Sequence, residues 1–439
     1  MEDLMELSNE LAGNPQELER RFRAAVKEGR GGEFEAAIAA LFERDPGDPV
    51  IQAWYYRLQP ADETAAAPRR SVNWLLAAPF SILTGLIFWA LSDFERGLVM
   101  GEVPQLIFWW SPIATMGALV FLALASKSKL ARALALGVGL LGAAVYALLL
   151  GPGREPDWVS EQYLLLAVIH IPLLSWAALA IFILGRRSTV ADRIAFLIKS
   201  IEVMITAGLY LIFGMVFGGI TIGMFAALGI EPPELWLRLI AAGGFGLLPV
   251  LAVASVYDPA RPPSDQDFDQ GLSRFIGTMM RLLLPLTLGV LVIYTVFIPF
   301  NFFEPFENRD LLIVFNLMLF GIMGLLLGAT PIRGEELSPE LARWLRRGIL
   351  AVAVLAGLVS LYALSAVIYR TIGGGLTLNR VTVIGWNGIN IAILLSLVYA
   401  QLKRAPGEWI TALHSVFSRA AGVYLAWGLF LVFVLPLLF

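Results

Sequence analysis

Few residues in this 439-residue chain have side chains that could hold a ligand, and they fall in two settings. The first is the run Tyr369-Arg370-Thr371-Ile372-Gly373-Gly374-Gly375-Leu376-Thr377-Leu378-Asn379-Arg380. Three consecutive glycines open backbone conformations closed to other residues and expose a row of N–H groups. With two guanidinium groups and the polar side chains of Thr377 and Asn379 beside them, the loop has the donors to bind a phosphate or a carboxylate. The same residues also suit a tight turn whose arginines meet lipid phosphate without selectivity. The second setting is polar residues inside long apolar runs: His170, two residues before Pro172, and Asn387 with Asn390 on one helical face, with Asn316 in another run. In lipid such groups are costly and often functional. His170 could relay a proton or stay neutral and bonded to a neighbouring helix, and the asparagines could line a polar path or bond helices together.

Other chemistry is largely excluded. The chain has no cysteine and only two histidines, His170 and His414, so thiolate chemistry is absent and a metal site has almost no ligands. No HExxH, GxSxG or Walker A pattern occurs, and no cofactor is expected. The acidic pair in Asp93-Phe94-Glu95 is similar to the one that lipid-linked glycosyltransferases carry in their first outer loop, although the loop here, Leu91 to Val103, is short. Asp258, Asp265, Asp267 and Asp269 lack the glycine and terminal glutamate of a calcium loop and read as a solvated linker.

The elements that must position these residues follow from composition. Hydrophobic residues make up 58 % of the chain and charged ones 15 %, too apolar for a soluble fold of this length and unsuited to nucleic acid. From Val72 onward, apolar runs of membrane length recur at 72–91, 104–125, 133–150, 163–184, 204–228, 235–256, 276–300, 311–330, 348–369, 381–402 and 420–438. The expected fold is therefore all-α, a polytopic membrane protein of about eleven transmembrane helices over residues 72–439. Fifteen basic residues in one alternating set of loops against six in the other place the N-terminus in the cytoplasm and Phe439 at the outer face. Residues 190–203, 272–281 and 409–419 read either as interfacial elbows or as helix ends with snorkelling side chains. Gly214, Gly218, Gly219 and Gly223 read as close helix packing. Pro172 in the fourth span, and Gly243, Gly244 and Gly246 before Pro249 in the sixth, are broken-helix signals of the kind that transporters use.

Residues 1–58 differ in kind. The first 70 residues hold 14 acids and 9 bases, and Gln16–Lys27, Glu33–Arg44 and Val50–Leu58 read as three helices forming a cytoplasmic, tetratricopeptide-like cap. Residues 59–71 read as an Ala/Pro-rich linker, and the acidic start lacks the features of a signal peptide.

The Arg370–Arg380 run resembles the Arg-Ile-x-x-Tyr-Gly-Leu-Thr-x-x-Arg pattern of an uncharacterised bacterial multi-pass family, domain of unknown function 4153. Arg370, Gly375, Leu376, Thr377 and Arg380 fall on matching positions, Gly374 stands where that family tends to have Tyr, and the span with Pro285 and Tyr294 is similar to one upstream in the family. The resemblance covers roughly residues 190–400 and implies a bacterial inner-membrane protein without implying an activity. Three functions remain open. They are a transporter, channel or lipid-handling protein for a small or anionic ligand, a sensor or scaffold recruiting a cytoplasmic partner through residues 1–58, and a glycosyltransferase-like enzyme. The oligomeric state is not specified by any of these features.

Overall fold

The computed structural model describes residues 15–27, 31–58, 72–93, 98–99, 103–150, 157–268, 271–332 and 337–439. The linker 59–71, residues 1–14 of the cap, Phe94, Glu95 and Asp269 lie outside the described residues. Contacts divide the chain into Met1–Ser71 and Val72–Phe439.

In the smaller unit, α1 (Pro15–Lys27), α2 (Gly31–Arg44) and α3 (Pro49–Leu58) bury one another's apolar faces. Leu18, Phe34, Ile38, Leu41, Ile51 and Trp54 make its core, with the rings of Phe22, Phe34 and Trp54 mutually 5.6–5.9 Å apart. Asp48 starts α3 by accepting from Val50 N at 2.8 Å, which satisfies a helix-end donor.

Among the described residues the larger unit has eleven helices long and apolar enough to cross a membrane, and the chain is a polytopic helical membrane protein. They are α4 (Trp74–Leu91), α5 (Gln105–Ala125), α6 (Leu130–Leu150), α7 (Asp157–Leu184), α8 (Val190–Ala227), α9 (Glu234–Val256), α10 (Gly271–Phe297), α11 (Arg309–Ala329), α12 (Pro339–Gly374), α13 (Leu378–Lys403) and α14 (Trp409–Leu438). The only strands among the described residues are two-residue β1 (Leu98–Val99) and β2 (Val103–Pro104), paired antiparallel. One core joins α4 to α7 and α9, and a second joins the start of α8 to α10 through α14. A third spans them through α5, α6, α7, α13 and α14.

Several sequence expectations are revised here. The proposed elbows are not separate elements: α8 runs unbroken for 38 residues, ~57 Å at 1.5 Å per residue, and α10 and α14 likewise include their basic starts. The amphipathic reading of residues 190–203 fails because Lys199 and Glu202 are as buried as Ile194 and Leu197. The Pro/Asp segment is not a flexible linker through its described part. Buried Gln266 holds it by accepting from Asp258 N (2.9 Å) and donating to Asp258 O (2.9 Å) and Arg261 O (3.2 Å).

The glycine signals also sort differently. In α8, Gly214, Gly219 and Gly223 face open space, and only Gly218 meets a side chain, Ile240. In α9, Gly243 and Gly246 carry the packing, while Gly244 faces open space. A methyl at Gly246 would meet Gly85 Cα at 2.8 Å, one at Gly85 would meet Gly243 O at 2.8 Å, and Thr84 Oγ1 donates to Gly246 O at 2.7 Å. The break expected in the sixth span is a π-turn at Leu239–Gly243, and it packs on α4. The fourth span is continuous through Pro172. A second π-turn, Phe430–Val434, precedes Pro436, which has no N–H for the Val432 carbonyl. Tyr163 supplies that donor, to Val432 O at 2.9 Å, and Tyr146 donates to the neighbouring Phe433 O at 2.9 Å.

Candidate functional site

The consecutive helices α11 to α14, together with α7 from earlier in the chain, line a cavity of about 790 Å³. Its walls come from α7 (Gln162, His170), α11 (Asn316, Phe320), the end of α12 (Arg370), α13 with its cap (Thr377, Asn379, Arg380, Trp386) and α14 (Tyr424). Cavities of ~300–1,000 Å³ with apolar walls and a few polar groups are the usual form of small-molecule sites.

Its mouth is built by the joint between α12 and α13. Gly375 turns the chain with φ +76°, a conformation that suits glycine, and Thr377 then caps α13, its hydroxyl accepting from Arg380 N at 3.3 Å. Arg380 donates to Gly375 O, and its guanidinium lies so close to Gly374 that a methyl there would meet a guanidinium nitrogen at 2.7 Å. Arg370 donates to Glu307 O at 3.0 Å, at the end of a short helix, Glu304–Glu307. Both arginines line the cavity half-buried, and among the described residues neither has a carboxylate partner. The three glycines shape this joint without lining the cavity.

Deeper in, His170 of α7 faces Trp386 of α13. The indole N–H can only donate, so its 3.0 Å bond makes His170 Nε2 the acceptor. His170 Nδ1 then carries the proton and donates to Leu166 O at 2.7 Å. The ring is thus held neutral by two partners, one on another helix. The His170 ring stacks parallel on Trp386 at 5.9 Å, and Trp386, Phe320 and Tyr424 pack edge to face on one another at 5.3–6.4 Å. Asn387 and Asn390 lie behind this wall. Asn387 donates to Asn316 Oδ1 at 2.7 Å and to Val383 O at 3.0 Å, and Asn390 accepts from the Tyr424 hydroxyl. Asn316, which does line the cavity, is fixed in turn by donating to Leu312 O at 2.8 Å. The asparagines therefore bond helices together and orient Asn316 and Tyr424.

One side of the cavity is open. Leu165, Ile169 and Ile313 line it yet remain 52 %, 58 % and 56 % exposed, an apolar lip between α7 and α11. In a membrane-spanning unit such exposed apolar residues face lipid.

Gln162, Trp386 and Tyr424 were not singled out as site residues from sequence. Each lies on an otherwise apolar helix, and nothing in the local spacing tells a cavity-facing aromatic from a core one. Asp93, the described member of the acidic pair, is bridged to Arg238 at 3.2 Å, next to the Arg238–Ser92 bond of 3.1 Å. It ties α9 to the end of α4. Among the described residues no three histidine or carboxylate groups converge as a metal site would require. Comparison of the chain with protein-family models, curated proteins and solved structures finds no match.

Proposed function

We propose that the membrane unit binds an amphiphile with an anionic head group and handles it as a carrier or lipid-transfer protein would. The observation that carries this reading is the pairing of Arg370 and Arg380, without carboxylate partners, with a cavity whose side is an exposed apolar lip. Two guanidinium groups at one mouth suit a phosphate or carboxylate, each charge-assisted bond contributing about 1.5–3 kcal/mol. The lip at Leu165, Ile169 and Ile313 suits the chain of the same molecule, which never has to leave lipid. A water-filled ion channel is less well served by walls of Phe320, Trp386 and Tyr424. The loop charge bias supports an orientation with the Arg370 end outward and residues 15–58 in the cytoplasm, and the loop's resemblance to the bacterial family supports an inner membrane.

The test is native mass spectrometry of the purified protein released from bilayers containing phosphatidylglycerol and phosphatidylcholine. Wild type should retain the anionic lipid, and Arg370→Ala with Arg380→Ala should retain at least about tenfold less. Equal retention by both proteins, with no lipid flux in vesicles reconstituted with either, would overturn the reading.

A further inference from the structure

A second concavity lies at the opposite end of the helices, where the connections α5–α6, α7–α8 and α9–α10 meet. It measures about 650 Å³, and its charged lining is Lys129, Arg132, Arg186, Arg187, Arg261 and Asp192. Two of these basic groups already have work. Arg132 donates to Ile181 O at 2.7 Å, capping the end of α7, and Arg261 pairs with Asp258 at 3.5 Å. The single carboxylate, Asp192, is occupied on both oxygens, by the Thr189 backbone N–H and hydroxyl (2.9 and 2.8 Å) and by Ser264 N (3.3 Å). Lys129, Arg186 and Arg187 are left with no anionic partner among the described residues.

The loops that bring these three together are conformationally demanding. Lys127 and Lys129 sit at φ +50° and +61°, a region that side chains other than glycine, asparagine and aspartate seldom enter. The turn is held by Ser128 N donating to Ala123 O at 3.0 Å and by the Ser126 and Ser128 hydroxyls 3.2 Å apart. Gly185, at φ +67°, ends α7 and starts the Arg186-Arg187 turn. The floor beneath is apolar, made by Leu122, Phe182, Tyr257 and Pro263. Burial, with Asp258 and Asp192 nearby, raises the Tyr257 phenol further above its usual range, so it stays neutral and adds no negative charge to the floor. Cations converging from separate loops on one concavity, with their own carboxylate already satisfied, are the arrangement that binds phosphate oxygens.

We propose that this concavity is a phosphate-binding site, distinct from the Arg370–Arg380 cavity, with Lys129, Arg186 and Arg187 as its ligands. The phosphate belongs either to a phospholipid head group or to a free phosphorylated compound.

The full-length protein in nanodiscs of phosphatidylcholine would be titrated with inorganic pyrophosphate, and in parallel nanodiscs doped with phosphatidylglycerol would be tested for lipid retention. Arg186→Ala with Arg187→Ala should weaken whichever probe binds by at least about tenfold. Lys129→Ala, from a separate loop, should weaken it too. Arg343→Ala with Arg347→Ala, an equal loss of charge on α12 outside the concavity, should leave it within about twofold. Retention of the lipid alone identifies a head-group site, and saturable pyrophosphate binding identifies a free-phosphate site. Equal weakening by the two arginine pairs, or no binding of either probe to wild type, would overturn the proposal.

Discussion

Two bonds decide what His170 can do. Because Trp386 is a donor only, the imidazole must offer Nε2 as an acceptor, and a second proton on the ring would break that bond. Trp386→Phe should therefore leave a buried acceptor unpaired and cost about 1–3 kcal/mol, read as a lower unfolding midpoint of the purified protein. An unchanged midpoint would mean that water from the cavity replaces the indole. Gly374 is a second informative position. Its missing side chain makes room for the mobile end of Arg380, so Gly374→Ala should move that guanidinium and leave the fold intact. We expect several-fold weaker retention of an anionic lipid with stability within about 0.5 kcal/mol of wild type. Residue type alone marked Arg370, Arg380 and His170 as worth attention. That they share one cavity was not legible, because in lipid every face of a helix is apolar and hydropathy does not say which neighbour a face meets.

The helices repeat this lesson with glycine. The spacing in α8 is that of a packing motif, but its glycines meet almost nothing, whereas Gly243 and Gly246 of α9 lie against Gly85 and Phe88. Gly246→Ala should cost about 1–3 kcal/mol because backbone, which cannot rotate away, occupies the space. Gly219→Ala should be neutral or slightly stabilising, since alanine is the better helix former. Thermal unfolding of the two variants side by side checks both. In the small unit, Glu19 pairs with Arg57 (2.6 Å) and accepts from Arg23 (2.9 Å), and these two cations hold its carboxyl below its ordinary value of 4.5. Its contribution is present above that value and is lost as pH falls through the lowered one. Hydrogen exchange of residues 15–58 in the intact protein should accelerate on acidification below about pH 4, and Glu19→Gln should make part of that acid response disappear. Helix number and order could be read from apolar run lengths, since lipid demands them. Continuity could not, because an interfacial turn and a buried one share the same amphipathic spacing.

At the scale of the whole unit, one buried ion pair ties three segments together. Lys199 of α8 donates to Glu202 (2.7 Å), to Asp267 O (2.6 Å) and to Ser273 of α10 (2.9 Å), and Ser273 donates to Glu202 at 2.6 Å. Glu202→Gln should destabilise by about 3–5 kcal/mol by leaving the ammonium without its counter-charge, and Lys199→Met with Glu202→Leu should recover much of the loss. Unfolding midpoints of the single and double variants decide this. The apolar lip of the Arg370–Arg380 cavity has a different consequence. A lipid site that opens sideways, as we propose for this one, would be surrounded by a solvent made of near-copies of its ligand, so tight binding in the ordinary sense would not be what fills it. Occupancy is set by competition: a lipid present as one molecule in about a hundred must outbind its neighbours by roughly a hundredfold, about 2.8 kcal/mol, to hold the cavity half the time. One good guanidinium–phosphate contact is worth nearly that much, and a second leaves a margin.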